Sequence, residues 1–180
     1  MTSIPKLCGL LGVAAIALLS ACGKDTASPS GGAPASSTAN VKTYDVGTPK
    51  HVQGTVVYPQ TPPVGGDHNP VWQTCGAYAE PIEPEKGVHS MEHGAVWITY
   101  RPDLPAAQVE KLRALADQGY VLVSPFPGLP APVVASAWGK QLTADSADDA
   151  AIRSFIQEFR EGPQTPEPGA ICTNGFGRPL

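Results

Sequence analysis

The stretch Ala95-Val96-Trp97-Ile98-Thr99-Tyr100 decides the fold, because its β-branched and aromatic residues predict a buried strand. Pro102 follows and cannot continue a central strand. Two more runs of the same character lie downstream, over residues 120–124 and 133–138. We therefore expect a sheet of at least three strands.

Two amphipathic helices are predicted around these strands. Pro105 suits a first helical turn, Gly119 suits a helix end, and the apolar residues between them share one face: Val109, Leu112 and Ala116. After the third strand we expect Asp145 to be a helix cap for an apolar series at helical spacing: Ile152, Phe155, Ile156 and Phe159. The order predicts an α+β fold, a small mixed or antiparallel sheet with two amphipathic helices packed on it.

The amino-acid composition indicates where the chain forms loops and which classes of partner are excluded. The 180 residues include 19 glycines and 20 prolines, many of them between residues 41 and 87, where we expect a long ordered loop region before the sheet. A hydrophobic fraction of 42% excludes a chain disordered throughout. A net charge of -4 argues against a nucleic-acid partner, and the absence of phosphate-binding glycine motifs argues against a nucleotide.

The amino terminus has the order of a secretory signal. Lys6 precedes an apolar run over residues 7–19, which as a helix would rise only about 20 Å, too short to span a bilayer. Leu19-Ser20-Ala21-Cys22 resembles the bacterial lipoprotein box, in which the cysteine bears the lipid. We expect a signal peptide over 1–21, a lipidated Cys22 with a flexible Gly/Ser/Ala/Pro tether over 22–43, and a single globular domain over 44–180. The protein is then extracytoplasmic and lipid-anchored to a bacterial membrane.

Two cysteines remain once the signal is removed and Cys22 is lipidated. Because an extracytoplasmic space is oxidising, we expect Cys75 and Cys172 to form a disulfide. Two alternatives stay open at this point: the pair could be soft metal ligands, or two unpaired thiols.

All four histidines of the chain fall between positions 51 and 93. Neutral imidazole is the commonest protein ligand of zinc and copper, so this clustering predicts a metal site. The candidate ligands are His68, His89 and His93, with His51, Asp67, Met91 or Glu92 as a fourth ligand or a supporting group. The alternative is that each imidazole braces a loop through hydrogen bonds.

The segment His89-Ser90-Met91-Glu92-His93 matches the HxxEH pattern of inverted zinc peptidases, in which the glutamate activates water. That chemistry needs a helix, and Gly87 and Gly94 leave little room for even two helical turns, so we expect a loop here. Met91 offers a thioether ligand that copper accepts, which favours copper slightly over zinc. Its alternative position is in the core.

Asp67 precedes His68 in a loop that contains Gly65-Gly66. Its carboxylate could orient the His68 imidazole or supply an oxygen ligand, and Glu92 could support the site in the same way. The alternative for Asp67 is a turn in which it bonds its own backbone.

Four motifs resemble those of the bacterial domain-of-unknown-function family 3105, which contains secreted proteins and lipoproteins. They lie at 58–68, 72–78, 89–102 and 137–139, and the similarity extends over roughly residues 50–175. The resemblance implies a shared polar site, because several candidate residues coincide with family motif positions: His51, His68, His89, Glu92 and His93. It implies no catalytic assignment.

Three functional hypotheses follow. The first is a lipid-anchored envelope protein that binds copper or zinc for buffering or delivery, with the membrane and another envelope metalloprotein as partners. The second is a metal-dependent hydrolase with Glu92 as general base. The third is a non-catalytic interaction domain without metal. The pattern favours a binding protein over an enzyme.

Overall fold

The computed structural model describes residues 40–180, and the predicted signal peptide, the predicted lipidation site Cys22 and most of the predicted tether fall outside this range. The described part is an α+β domain with a six-stranded mixed sheet and three α-helices. The strands are β1 (Lys42–Thr43), β2 (Gly76–Ala77), β3 (Val96–Tyr100), β4 (Val121–Pro125), β5 (Val133–Ala137) and β6 (Lys140–Ala144). The helices are α1 (Pro84–Glu92), α2 (Ala106–Arg113), which continues as a 3₁₀ turn over Ala114–Gln118, and α3 (Ala150–Phe159).

The strand order is β1-β6-β5-β3-β4-β2, so the stretch that decides the fold lies inside the sheet. β3 pairs in parallel with β4 and antiparallel with β5, and β2 adds to β4 in parallel. β1 and β6 complete the other side in antiparallel pairing. The predicted α+β class and the three predicted strands are confirmed.

The sheet is covered on both faces. Val96 and Ile98 pack into a large apolar cluster with α2 and α3, whereas Trp97 between them packs into a second cluster with residues of α1. All five residues of β3 are buried as a result. A strand covered on both sides reads as a continuous apolar run rather than as an alternation, which is why its sequence signal was strong.

The helix cap was predicted four residues too early. Asp149, not Asp145, is the cap of α3, and its carboxylate accepts a hydrogen bond of 2.8 Å from the Ala151 amide. Asp145 instead follows β6, a strand that the sequence did not predict. Gly139, with a φ of 66°, reverses the chain between β5 and β6.

The expectation that residues 89–93 form a loop is wrong. α1 is nine residues long, begins with Pro84 and includes residues 89–92, and His93 caps its end. Gly87 lets this helix lie against β3, since a Cβ there would sit 2.8 Å from the Trp97 ring. Tertiary packing stabilises a helix too short to be stable alone.

A short strand and a disulfide hold the two ends of the described chain to the domain. Lys42 and Thr43, the last two residues of the predicted tether, pair with β6. Cys75 and Cys172 form the predicted disulfide, with Cα atoms 5.4 Å apart, and tie the carboxyl-terminal segment to the loop before β2. Within residues 40–180, no helix combines the length and apolarity that a membrane crossing requires.

Candidate metal centre

Helix α1 places three polar side chains on one face. His89, Glu92 and His93 are spaced i, i+3 and i+4, which brings their side chains to the same side of a helix. All three are almost fully buried. The helix that the sequence argument rejected is therefore the element that organises the site.

Met91 faces the other way. It is fully buried in the apolar cluster that contains Val88, Trp97 and Leu122. Successive helical residues turn by about 100°, so a side chain two positions from His89 points to nearly the opposite side. The expectation of a thioether ligand is corrected: Met91 is a core residue.

Two loop segments bring the other histidines to this face. His51 and His68 form a parallel β-bridge, in which the Val52 amide donates to the His68 carbonyl at 2.8 Å and the His68 amide donates to the Lys50 carbonyl at 3.1 Å. Asp67 strengthens the bridge by accepting a 2.8 Å hydrogen bond from the Lys50 amide. Asp67 thus positions the two histidines through the backbone.

Four potential ligand atoms converge. One nitrogen each from His51, His68 and His89 and one carboxylate oxygen of Glu92 all lie within 4.8 Å of one another. The Oε2 atom of Glu92 is 3.0 Å from His68 Nε2 and 3.5 Å from His51 Nε2. This group could hold a metal ion, and it makes Glu92 a candidate ligand rather than only a supporting residue.

Backbone carbonyls orient three of the imidazoles. Each Nδ1 atom lies within hydrogen-bond distance of a carbonyl oxygen, as in His68 to Gly66 at 2.8 Å, His89 to Asn69 at 2.6 Å and His93 to Ile171 at 2.7 Å. A carbonyl only accepts, so Nδ1 must carry the proton in each case. In a neutral imidazole, Nε2 then has its lone pair free and directed into the cluster, the arrangement found around metal-binding histidines.

The spacing of these lone pairs calls for a cation. His89 Nε2 and His93 Nε2 are 3.0 Å apart, and His68 Nε2 is 3.0 Å from the Glu92 carboxylate. Two acceptors at that distance repel each other unless a proton or a metal ion lies between them. The arrangement of these acceptor atoms therefore favours a bound cation, either a proton or a metal ion, at the centre of the cluster.

Burial and charge shift three pKa values in the cluster. Burial lowers the pKa of His89 to about 4, an effect that its hydrogen bond to Asn69 opposes and the neighbouring histidines increase. Burial also disfavours the charged form of His68, but its hydrogen bonds to Glu92 and Gly66 and the nearby carboxylates together outweigh burial and raise its pKa. Burial likewise disfavours the charged form of Glu92, but the hydrogen bond to His68 and the neighbouring imidazoles together outweigh burial and lower the pKa of that carboxyl. His89 thus keeps its lone pair available, while the contact with Glu92 favours a proton on His68 that a bound metal ion would displace.

The cluster reaches solvent at His51, whose side chain is 50% exposed, while the side chains of His68 and Glu92 are buried. Trp72 covers His89 and His93, with ring centroids 5.8 and 5.1 Å away. The cluster of donor atoms is therefore largely shielded from solvent, and His51 is its accessible ligand.

Sequence reasoning missed the carboxyl-terminal contribution. Glu167 Oε2 lies 3.7 Å from His93 Nε2, and the Glu167 amide donates to the Glu92 carbonyl at 3.1 Å. Glu167 lies in a Pro/Gly-rich segment more than 70 positions from the helix, where no local pattern marks it. The predicted disulfide was the only available hint, because it returns this segment to the histidine region.

A protein-family profile matches residues 51–174, more than half of the chain, and covers every histidine of the cluster. No curated protein and no solved structure matches the chain significantly. The family match agrees with the resemblance seen in the motifs, and the chain belongs to the family described as protein of unknown function (DUF3105).

Proposed function

We propose that this protein binds one divalent transition-metal ion, zinc or copper, through His51, His68, His89 and Glu92. The observation that carries the proposal is the convergence of the four donor atoms within 4.8 Å of one another. The carbonyl-bound Nδ1 atoms of His68 and His89 support it, because they leave both Nε2 atoms ready to coordinate.

The chemistry of the four donor groups limits which metal ions the site would bind. Three imidazole nitrogens and one carboxylate oxygen suit zinc and Cu(II), both of which bind nitrogen ligands well. The position of Met91 in the core removes the thioether that favoured copper over zinc. When bound, such an ion would be a Lewis acid held by four protein groups, while Asp67 and the backbone carbonyls keep the imidazoles in place.

The biological role that we propose is metal buffering or delivery in the cell envelope, with the chain anchored through lipid on Cys22. Support for the anchor comes from the sequence of residues 7–22, and an envelope location suits the oxidised cysteine pair. The partner that receives or supplies the ion would be another envelope metalloprotein.

Metal retention tests the proposal. The protein, purified without a polyhistidine tag, is titrated with zinc or copper and dialysed, and its metal content is measured by elemental analysis. We expect about one equivalent in the wild type and almost none in His68→Ala/His89→Ala. Thr99→Val, which removes a buried hydrogen bond in the sheet, is the control for general destabilisation and should retain the ion. A wild-type protein that retains no metal would contradict the proposal. The remaining hypothesis would then be a non-catalytic interaction domain without metal.

A metal-dependent hydrolase is the second candidate, and α1 favours it because residues 89–92 lie on a helix that His93 caps, and the HxxEH chemistry needs a helix. Glu92→Gln separates the two candidates. If Glu92 is a general base, the variant keeps its metal and loses turnover. If Glu92 is a ligand, as its 3.0 Å contact with His68 suggests, the variant loses metal affinity itself.

A further inference from the structure

The polar cluster continues beyond the four donors of the proposed site. His89 Nε2 lies 3.0 Å from His93 Nε2, which in turn lies 3.7 Å from the Glu167 carboxylate. The side chain of Glu167 is 55% exposed, like that of His51 at the other side of the cluster. The contacts therefore form a row from Glu167 through His93 to His89 and the other donors, in which Glu167 and His51 are the solvent-accessible groups.

His89 is common to both halves of this row. An imidazole Nε2 atom has a single lone pair, so His89 can bind one ion at a time. The set of His51, His68, His89 and Glu92 and the set of His89, His93 and Glu167 thus compete for the same ion. The close approach of His89 to His93 means that an ion need not leave the cluster to change between the two sets.

The carboxyl-terminal segment holds the second set in place. Ile171 fixes the His93 ring through its carbonyl, and the Glu167 amide is bonded to the Glu92 carbonyl. Cys172, next to Ile171, is joined to Cys75, so the disulfide holds this segment at the loop before β2. The second set thus combines a buried histidine with an exposed carboxylate, from which an ion can pass to another molecule.

We propose that His89, His93 and Glu167 form a second, transient position for the same metal ion, through which the ion leaves towards a receiving molecule. This inference rests on the proposed function, because it requires the first set to bind metal. His93 is then a transfer ligand rather than a fourth imidazole of the resting site, and Glu167 is the last group to contact the ion before release.

Release kinetics test this inference. The full-length protein is loaded with Zn²⁺ alone, mixed with an excess of a chromogenic chelator, and followed by stopped-flow absorbance. We expect Glu167→Gln and His93→Gln to retain about one equivalent of zinc at equilibrium but to release it about tenfold more slowly, as a barrier higher by about 1.4 kcal/mol would produce. Glu80→Gln changes another exposed loop glutamate and should release zinc at the wild-type rate.

The outcomes are distinct for the two proposals. Equal release rates in wild type and both variants, with one equivalent bound, would overturn the transfer position and leave the proposed function intact. Loss of bound zinc in His93→Gln, to the extent seen in His68→Ala/His89→Ala, would place His93 in the resting site and also overturn it. Retention of two equivalents by the wild type would contradict the sharing of one ion. A wild type without zinc would overturn the proposed function and this inference together.

Discussion

Acidification should weaken the metal-free fold through His89. The imidazole of this residue is almost fully buried, and its pKa falls from an ordinary value of 6.5 to about 4. In the unfolded chain His89 therefore binds a proton below about pH 6.5, whereas in the folded protein it binds one only below about pH 4. The full difference corresponds to about 3 kcal/mol of unfolding free energy, of which about 2 kcal/mol should be lost between pH 6.5 and pH 5.

His68 has the opposite sign and a different pH window. Because its pKa is raised in the folded protein, its contribution is fully present below the ordinary value and is lost as the pH rises through the raised value. Glu92, whose pKa is lowered, loses its contribution only as the pH falls below about 4.5. Between pH 6.5 and pH 5, His89 is therefore the one of these three groups whose contribution to the unfolding free energy is lost as the pH falls.

The assay is urea unfolding in the presence of EDTA, followed by tryptophan fluorescence at several pH values between 5 and 8. His89→Gln cannot take up the proton in either state, so its unfolding free energy should change much less than that of the wild type between pH 6.5 and pH 5. His51→Gln, at the half-exposed end of the cluster, is the matched control. Parallel wild-type and His89→Gln curves over this interval would refute the reasoning.

Substitutions at three further places test the structural elements that hold the site in position. Cys75→Ser/Cys172→Ser opens a loop of 97 residues and should cost about 4 kcal/mol in thermal or urea unfolding; a loss below 1 kcal/mol would show that the crosslink constrains little. Gly87→Ala puts a methyl group 2.8 Å from the Trp97 ring and should destabilise the protein by about 1–3 kcal/mol, measured by the same unfolding curves, and an unchanged midpoint would contradict that close packing. Asp67→Ala removes a backbone hydrogen bond from the bridge and should lower metal affinity about tenfold in a competition titration, whereas full affinity would mean that the bridge holds without it.

The sheet was predictable where burial is two-sided. β3, β4 and β5 are apolar runs because both faces of the sheet are covered, and such runs are recognisable without knowing their partners. β6 was missed because Lys140 and Thr143 interrupt the apolar pattern at a sheet position near the edge. A strand of this kind is defined by its pairing with β5 rather than by its own composition.

Helix α1 was missed for a related reason. Its sequence contains Gly87 and has few apolar residues, so its local propensity is weak, and its stability comes from packing against Trp97. The rejection of a helix then also hid the common face of His89, Glu92 and His93. A glycine that permits close packing was interpreted as a helix breaker.

The candidate site was predictable in its residue types and not in its geometry. The clustering of histidines indicated a metal site, but the approach of His51 to His68 depends on pairing of two irregular loops, which leaves no periodic signal. Glu167 reaches His93 only through long-range folding of the carboxyl-terminal segment. Contacts of this separation require the fold before they can be inferred.

Both the proposed function and the transfer position depend on one ion bound among His51, His68, His89 and Glu92. X-ray diffraction from crystals of the zinc- or copper-loaded protein, with data collected on both sides of the metal absorption edge, shows where the ion lies. We predict a single strong anomalous peak about 2.0–2.2 Å from three imidazole nitrogens and a Glu92 oxygen. An anomalous peak elsewhere on the protein, or none in crystals grown with excess metal, would overturn the proposed site.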